Sequence, residues 1–381
     1  MKPTRLLGSA IAVALFVGAC GGEDSNVRSG AVDNYADLVH EAYSLSLASA
    51  EKMDAAIDAF LASPSVETLA AAKGAWLEAR DDYAPTEVFR FYNGPIDNEA
   101  TGVEGLINAW PLDEVYIDYV EGDPEGGIVN MADEYPTIDA GLLVSLNEQG
   151  GEANVSTGWH AIEFLLWGQD LSADGPGART FEDYTSAENS DRRASYLAET
   201  SDLLVVHLQQ MIDAWAPDAD NYRAEFVALE ADVALGMIMT GMGELSRGEL
   251  AGERMTVAYE ARSQEDEHSC FSDNTTNDII GNAVGIQMVY LGGVGSVDGI
   301  GIYDVVAAED QELADRLRDE IAESISFAEA IPAPFDQHLA EGVSDADPGR
   351  VAIFDTIVAL ETQAETIVDS ASILGVEINL S

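Results

Sequence analysis

The run GWHAIEFLLWGQD, residues 158–170, limits the fold more than any other stretch of the chain. On a helix, His160, Glu163, Phe164 and Trp167 share one face, and Trp159, Ile162, Leu165 and Leu166 cover the other. A helix that is apolar all round must be surrounded by other elements, so the chain needs a core thick enough to enclose it. A carboxylate desolvated there costs several kcal/mol unless it is paired or takes up a proton. Three partners would answer that cost: a cation, an arginine from another helix, or the imidazolium of His160.

The rest of the sequence is helical by the same test. Apolar residues at three-to-four spacing predict helices over 35–61, 65–89, 138–146, 154–167, 191–214, 222–245, 254–267, 278–291, 310–331 and 350–371. No alternating pattern persists long enough to build a sheet, so the expected class is all-α. Between the second and third of these helices, residues 90–127 are irregular and rich in Gly, Pro and Asp. Their aromatics (Phe91, Tyr92, Trp110, Tyr116, Tyr119) argue for an ordered functional loop, either a lid or a docking surface.

At 381 residues two domains are expected, and weak internal matches suggest a duplication. Glu78-Ala79-Arg80 recurs as Glu260-Ala261-Arg262, and GWHAIE has an echo in GRVAIF, 349–354. In that echo Val351 stands for His160 and Phe354 for Glu163, as if one bundle kept a polar pair that the other filled with hydrocarbon. The division expected is 31–215 for the bundle carrying the histidine and 216–381 for the second bundle.

The N-terminus has the form of a secretory signal over residues 1–19: Lys2 and Arg5, then an apolar run too short to span a bilayer, then Val17-Gly18-Ala19-Cys20. VGAC resembles the lipobox of bacterial lipoproteins, which implies cleavage before Cys20 and lipidation there. An ordinary signal peptide cut at small residues is the alternative. Residues 20–30 then read as the lipidated cysteine and a flexible tether, on a protein anchored in the bacterial envelope, at the outer membrane, facing the periplasm or the cell surface. With Cys20 carrying lipid, Cys270 has no partner and a disulfide framework is excluded. The 17 Lys and Arg stand against 70 Asp and Glu, a net charge of −53. Such a surface repels nucleic acid and concentrates cations, and its spread along the chain describes solvated faces rather than a site.

Imidazole and carboxylate at i and i+3 are used inside bundles to hold transition metals, and a buried His-Glu hydrogen bond is the simpler alternative. The pattern is not the HExxH of zinc proteases, because Phe164 stands where a second histidine is needed. Elsewhere, Glu265, Asp266, Glu267 and His268 form a ligand-capable cluster or a solvated acidic turn. His40, His207 and His338 lie in ordinary amphipathic helices. Arg80 and Glu87, seven residues apart on one predicted helix, are candidates for the counter-ion of Glu163 and a further metal ligand, with a plain surface pair as the simpler reading.

GWHAIEFLLWGQD is similar to the GxHxxE signature of the imelysin family. TEVFRFYNGPID (86–97), INAWPLDE (107–114) and SQEDEHSCFSDNT (263–275) strengthen the resemblance toward an iron-regulated branch of that family. The resemblance spans the chain from about residue 31 onward. It implies a periplasmic protein or lipoprotein of two helical bundles related by duplication, a site on Gly158, His160 and Glu163 near their junction, and a role in iron uptake. Three functions are expected on this basis. In the first, iron, another divalent metal or a metal-bearing ligand binds at His160 and Glu163 and passes to or from an outer-membrane receptor or transporter. Oxygen donors with one imidazole suit iron better than a thiolate-seeking ion. The second is a metallopeptidase with Glu163 or Glu267 as general base, which would need more ligands than the motif supplies. The third is a partner-docking module without metal.

Overall fold

The structure, a computed structural model, describes residues 21–172, 175–378 and 380. The expected signal peptide (1–19) and Cys20 lie outside these residues. The chain is all-α. Its helices are α1 (Gly21–Ala62), α2 (Val66–Tyr83), α3 (Glu104–Ile107), α4 (Glu114–Ile117), α5 (Ala140–Leu146), α6 (Gly158–Trp167), α7 (Ser190–Trp215), α8 (Tyr222–Val227), α9 (Ala231–Glu244), α10 (Val257–Ala261), α11 (Thr275–Leu291), α12 (Ile302–Glu309), α13 (Gln311–Glu329) and α14 (Pro348–Leu374). A two-residue hairpin, β1 (Gly293–Val294) with β2 (Val297–Asp298), is the sheet structure among the described residues.

Helix α1 buries Tyr35, Val39, Ala42, Ala50, Met53, Ile57 and Phe60, a stripe at the spacing an amphipathic helix requires. It packs against α2 and α7, and its other end meets α9 and α12. Ser65 starts α2 by accepting from Thr68 N–H while the Thr68 hydroxyl accepts from Ser65 N–H, so two otherwise unpaired helix-end donors are satisfied. On the other side α13 pairs with α14, and α11 packs against α13 and the 3₁₀ turn Ala84–Phe89. Residue 216 caps α7, so the expected boundary falls between elements, but apolar packing continues across it. Trp215 stands edge-on to both Tyr35 and Phe226, and one apolar cluster runs from α1 to α14.

Several expectations are corrected. Residues 21–30 are the first turns of α1 rather than a flexible tether: Arg28 pairs with Asp232 at 2.6 Å and with Glu309 at 3.3 Å, and Val27 packs on the core. Tertiary contacts there override a composition that reads as linker. The predicted helix 65–89 tightens into the 3₁₀ turn after Tyr83, because Pro85 cannot continue an α-helix interior. The predicted 222–245 helix breaks after Val227. The chain then stays helical from Ala231 to Ala261 through a π-helix, Leu245–Thr256. In the GRVAIF echo, Val351 and Phe354 are 42% and 50% exposed, so α14 does not fill a core position equivalent to that of His160 and Glu163.

Helix α11 approaches the Ala84–Phe89 turn through two glycines. A Cβ at Gly281 would lie 2.5 Å from the Ala84 Cβ, and one at Gly285 would lie 2.4 Å from the Pro85 carbonyl oxygen. Gly285→Ala is therefore expected to lower the unfolding free energy by about 1–3 kcal/mol through overpacking. Gly74→Ala, in α2 with nothing within 4 Å of the added carbon, is expected to raise it by about 0.5–1 kcal/mol. Urea melts of the two variants check both signs.

Candidate functional site: two imidazoles in a buried charged cluster

Every residue of α6 is buried. The glycine that opens it is a steric requirement: Gly158 has φ +86°, and a Cβ there would sit 2.4 Å from the carbonyl oxygen of Ile107. Helix α2 clamps α6 from one side, where the Trp76 indole N–H donates to the carbonyl of Trp159 at 3.1 Å and its ring stands edge-on to Trp159 and Trp167. With backbone and indoles locked, His160 and Glu163 have fixed positions.

His160 Nδ1 and Glu163 Oε2 are 2.9 Å apart. Glu163 Oε1 accepts from the Ser272 backbone N–H at 2.9 Å and from the Ser272 hydroxyl at 2.6 Å. The i, i+3 spacing thus makes a carboxyl–imidazole pair in which Glu163 is committed to Nδ1 and to Ser272, and His160 keeps Nε2. Burial pushes the Glu163 carboxyl up to about 8, outweighing the Ser272 hydrogen bonds, and burial holds His160 well below its ordinary range, with His268 adding to the effect.

The second imidazole comes from the turn before α11. The His160 and His268 ring centroids are 4.6 Å apart at 70°. His268 Nδ1 lies 2.8 Å from Asp278 Oδ2. Asp278 also takes Arg80 Nε at 3.1 Å, Arg80 Nη2 at 3.3 Å, the Ser269 hydroxyl at 2.6 Å and Asn274 Nδ2 at 3.3 Å. Burial alone would raise the Asp278 carboxyl, but the Arg80 guanidinium together with the His268 and Ser269 hydrogen bonds outweighs it and holds the group well below the carboxylate range. A carboxylate with those donors fixes the tautomer: His268 donates from Nδ1, leaving a lone pair on Nε2. Burial, with Arg254 nearby, lowers His268 to about 4, so it is neutral at pH 7. The Nε2 atoms of both histidines are buried and without a hydrogen-bond partner.

Arginines balance the buried acids. Arg80 Nη1 donates to Asn108 Oδ1, and Arg80 stands 3.8 Å from Glu87. Arg254, from the π-helix, grips Glu87 with both Nη atoms and also reaches Glu249 at 2.8 Å. Asn282 Nδ2 donates to the Ala84 carbonyl at 2.9 Å. The expected roles of Arg80 and Glu87 are corrected accordingly. They are fully buried rather than a surface pair, Arg80 neutralises Asp278 rather than Glu163, and Glu87 is occupied by arginine rather than offered to a metal. The acidic cluster splits. Glu265 is exposed, whereas Glu267 is buried with neither carboxyl oxygen in a hydrogen bond of good geometry, the Thr275 hydroxyl being close by. Burial raises the Glu267 carboxyl well above its ordinary value, with the Thr275 hydroxyl opposing it. His207 is buried, and His40 and His338 are half-buried, with His338 2.8 Å from Asp347.

The irregular loop forms one wall of the site. Trp110 stands edge-on to His268 at 5.7 Å and donates its indole N–H to the Glu267 carbonyl at 2.9 Å, and Asp118 is gripped by Arg179 at 2.6 Å and by Arg193. Sequence reasoning did not single out Asp278, Asn282, Arg254 or Asn108. The signal available was Asn274, Asp278 and Asn282 at i, i+4 and i+8, along one face at the start of a largely apolar helix.

As a metal site the cluster fits in part. Two neutral imidazoles with unpartnered Nε2 atoms are each backed at Nδ1 by a carboxyl group; His268 on the Asp278 carboxylate has the donor and support arrangement used by metal-binding histidines, and His160 reaches it when Glu163 gives up its proton. Among the described residues, no three or more His, Cys, Asp or Glu side chains are arranged to hold an ion, so any ion there would complete its shell with water or with a ligand it brings. The catalytic-zinc pattern of three protein ligands is not met.

The Imelysin family model matches residues 39–367, and the chain belongs to that family. Iron-regulated protein A of Synechococcus elongatus is 25% identical over 374 residues, covering 95% of this chain and 90% of the relative. Two crystal structures share the fold. An iron-regulated protein A precursor from Parabacteroides distasonis matches with a TM-score of 0.68 at 18% identity, covering 90% of this chain and 95% of that one. An imelysin-like protein from Psychrobacter arcticum matches with a TM-score of 0.67 at 14% identity, covering 93% of this chain and 98% of that one.

Glu163 binds its proton more tightly in the folded than in the unfolded chain. Its contribution therefore favours folding below pH 4.5 and is lost as pH rises toward about 8. Glu163→Gln keeps the neutral form at all pH values. Its stability relative to the wild type is expected to improve steadily between pH 5 and pH 8, read from urea midpoints in chelator-treated buffer.

Proposed function

We propose that this imelysin-family chain is an iron-related protein of the cell envelope, which takes up a metal ion, or a metal carried by a small ligand, at His160 and His268. The observation that carries this reading is the pair of imidazoles 4.6 Å apart, each with a buried, unpartnered Nε2 and each oriented through Nδ1 by a carboxyl group. Unpaired polar atoms in a core cost free energy, and a ligand that occupies them recovers it. The name of the Synechococcus relative supports iron as the cargo. Imidazole with surrounding oxygen donors suits ferrous iron and its divalent neighbours.

In this reading the chain's own groups do three things. Asp278 and Glu163 hold the rings. Arg80 and Arg254 neutralise the acids that would otherwise be uncompensated. With two imidazoles as its protein donors, the site keeps the cargo exchangeable. The VGAC ending supports attachment through Cys20, with delivery to or from a membrane transporter or receptor.

Anaerobic ferrous iron titrations, with cobalt(II) as an optical probe, test the proposal. His160→Ala and His268→Ala are each expected to weaken binding at least tenfold, and His40→Ala to leave it unchanged. Loss of the supporting carboxylate in Asp278→Asn is expected to cost about 10–100-fold. Equal metal uptake by the wild type and both site-histidine variants would overturn the reading.

A further inference from the structure

A pocket of about 320 Å³ opens beside the buried cluster, with His268, Asn108 and Arg254 among its lining. In its lining Glu104 and Glu249 face Arg90 at 3.3 and 3.4 Å, and Glu249 also meets Arg254, so these acids are paired with arginine. Glu148, Glu152 and Glu253 also line the pocket, and all three are exposed. None of the three pairs with a basic side chain among the described residues.

We propose that this pocket is a capture site for a hydrated multivalent cation, held through its water shell by Glu148, Glu152 and Glu253 before the ion reaches His268. Three unpaired carboxylates around one opening focus negative potential there, and water bound to a cation donates hydrogen bonds that carboxylates accept. Among the described residues no three donors converge tightly enough to ligate an ion directly, which suits a cation that keeps its water. Two polar groups in the lining mark the route inward. The Nε2 lone pair of His268, on a side chain 1% exposed, has no partner, and the Asn108 amide nitrogen is likewise buried and unpaired. An incoming ion exchanges one water for the imidazole nitrogen, and the released water can accept from the amide.

The destination rests on the metal-binding reading given above, but the capture site is tested apart from it. Hexaamminecobalt(III) does not exchange its ammines, so it reports outer-shell binding alone. Titrated calorimetrically into the full chain at about 150 mM salt, where diffuse surface charge is screened beyond roughly 8 Å, it is expected to bind at one preferred site. The triple variant Glu148→Gln, Glu152→Gln, Glu253→Gln is expected to weaken that binding about tenfold. The triple variant Glu51→Gln, Glu67→Gln, Glu361→Gln, made at exposed positions outside the pocket, is expected to change it by less than about twofold. His160→Ala, at a residue outside the pocket lining, is expected to leave it intact even if it abolishes iron binding. Equal weakening in the two triple variants, or no binding at that salt concentration, would overturn the proposal by showing that only the general −53 charge attracts the complex.

Discussion

The buried ion pair between Arg80 and Asp278 is the contact on which the rest of the site depends. Both groups are almost wholly excluded from solvent, and they come from helices about two hundred residues apart in the chain. Removing one partner from such a pair typically costs about 3–5 kcal/mol, because the remaining charge has no water to turn to. The pair therefore fixes how α2 and α11 meet. It also sets the charge on Asp278, which in turn sets the tautomer of His268. The second pair, Glu87 with Arg254, repeats the logic across the 3₁₀ turn and the π-helix; Asn282 bonds to both of its members, and Arg80, 3.8 Å from Glu87, ties the two pairs into one network. The glycines of α11 allow this, since any side chain at 281 or 285 would hold the helix away from the turn that carries Glu87.

Three carboxyl groups in this core have opposite fates. Asp278 and Glu87 lie against guanidinium groups and stay ionised well below the usual range, whereas Glu163, offered only neutral donors, keeps its proton to about pH 8. Burial is common to all three, so the neighbour decides. The result is a cluster with compensated charges on one side and two neutral rings on the other. That combination lets the Nε2 lone pair of His268 persist in a protein interior without attracting a proton.

Much of this was legible in the sequence, for reasons that differ from residue to residue. The all-round apolar pattern of 158–167 demanded burial, and the motif stretch around His268 drew attention to the second imidazole. Asp278 and Arg254 escaped notice because a single charged residue in a helix reads by default as solvent-facing, and only the partner's position in space reveals the pair. The start of α1 was misread because Gly and Ser near a terminus look like linker, while the contacts of Arg28 that order it come from residues more than two hundred positions away. The GRVAIF echo failed for a related reason: a short match in letters carries no information about which face of a helix is covered.

The π-helix at Leu245–Thr256 makes residue count itself part of the electrostatics. Its wider turn places Glu249 and Arg254, five positions apart, side by side at 2.8 Å. At 3.6 residues per turn, positions five apart differ by about 140° around the axis, and the two side chains would point away from each other. A one-residue deletion in this stretch would look harmless in an alignment and would leave a continuous helix. It would nonetheless turn Arg254 out of the core and leave Glu87 buried without its principal counter-ion, so the length of this segment is under a constraint that no single side chain displays.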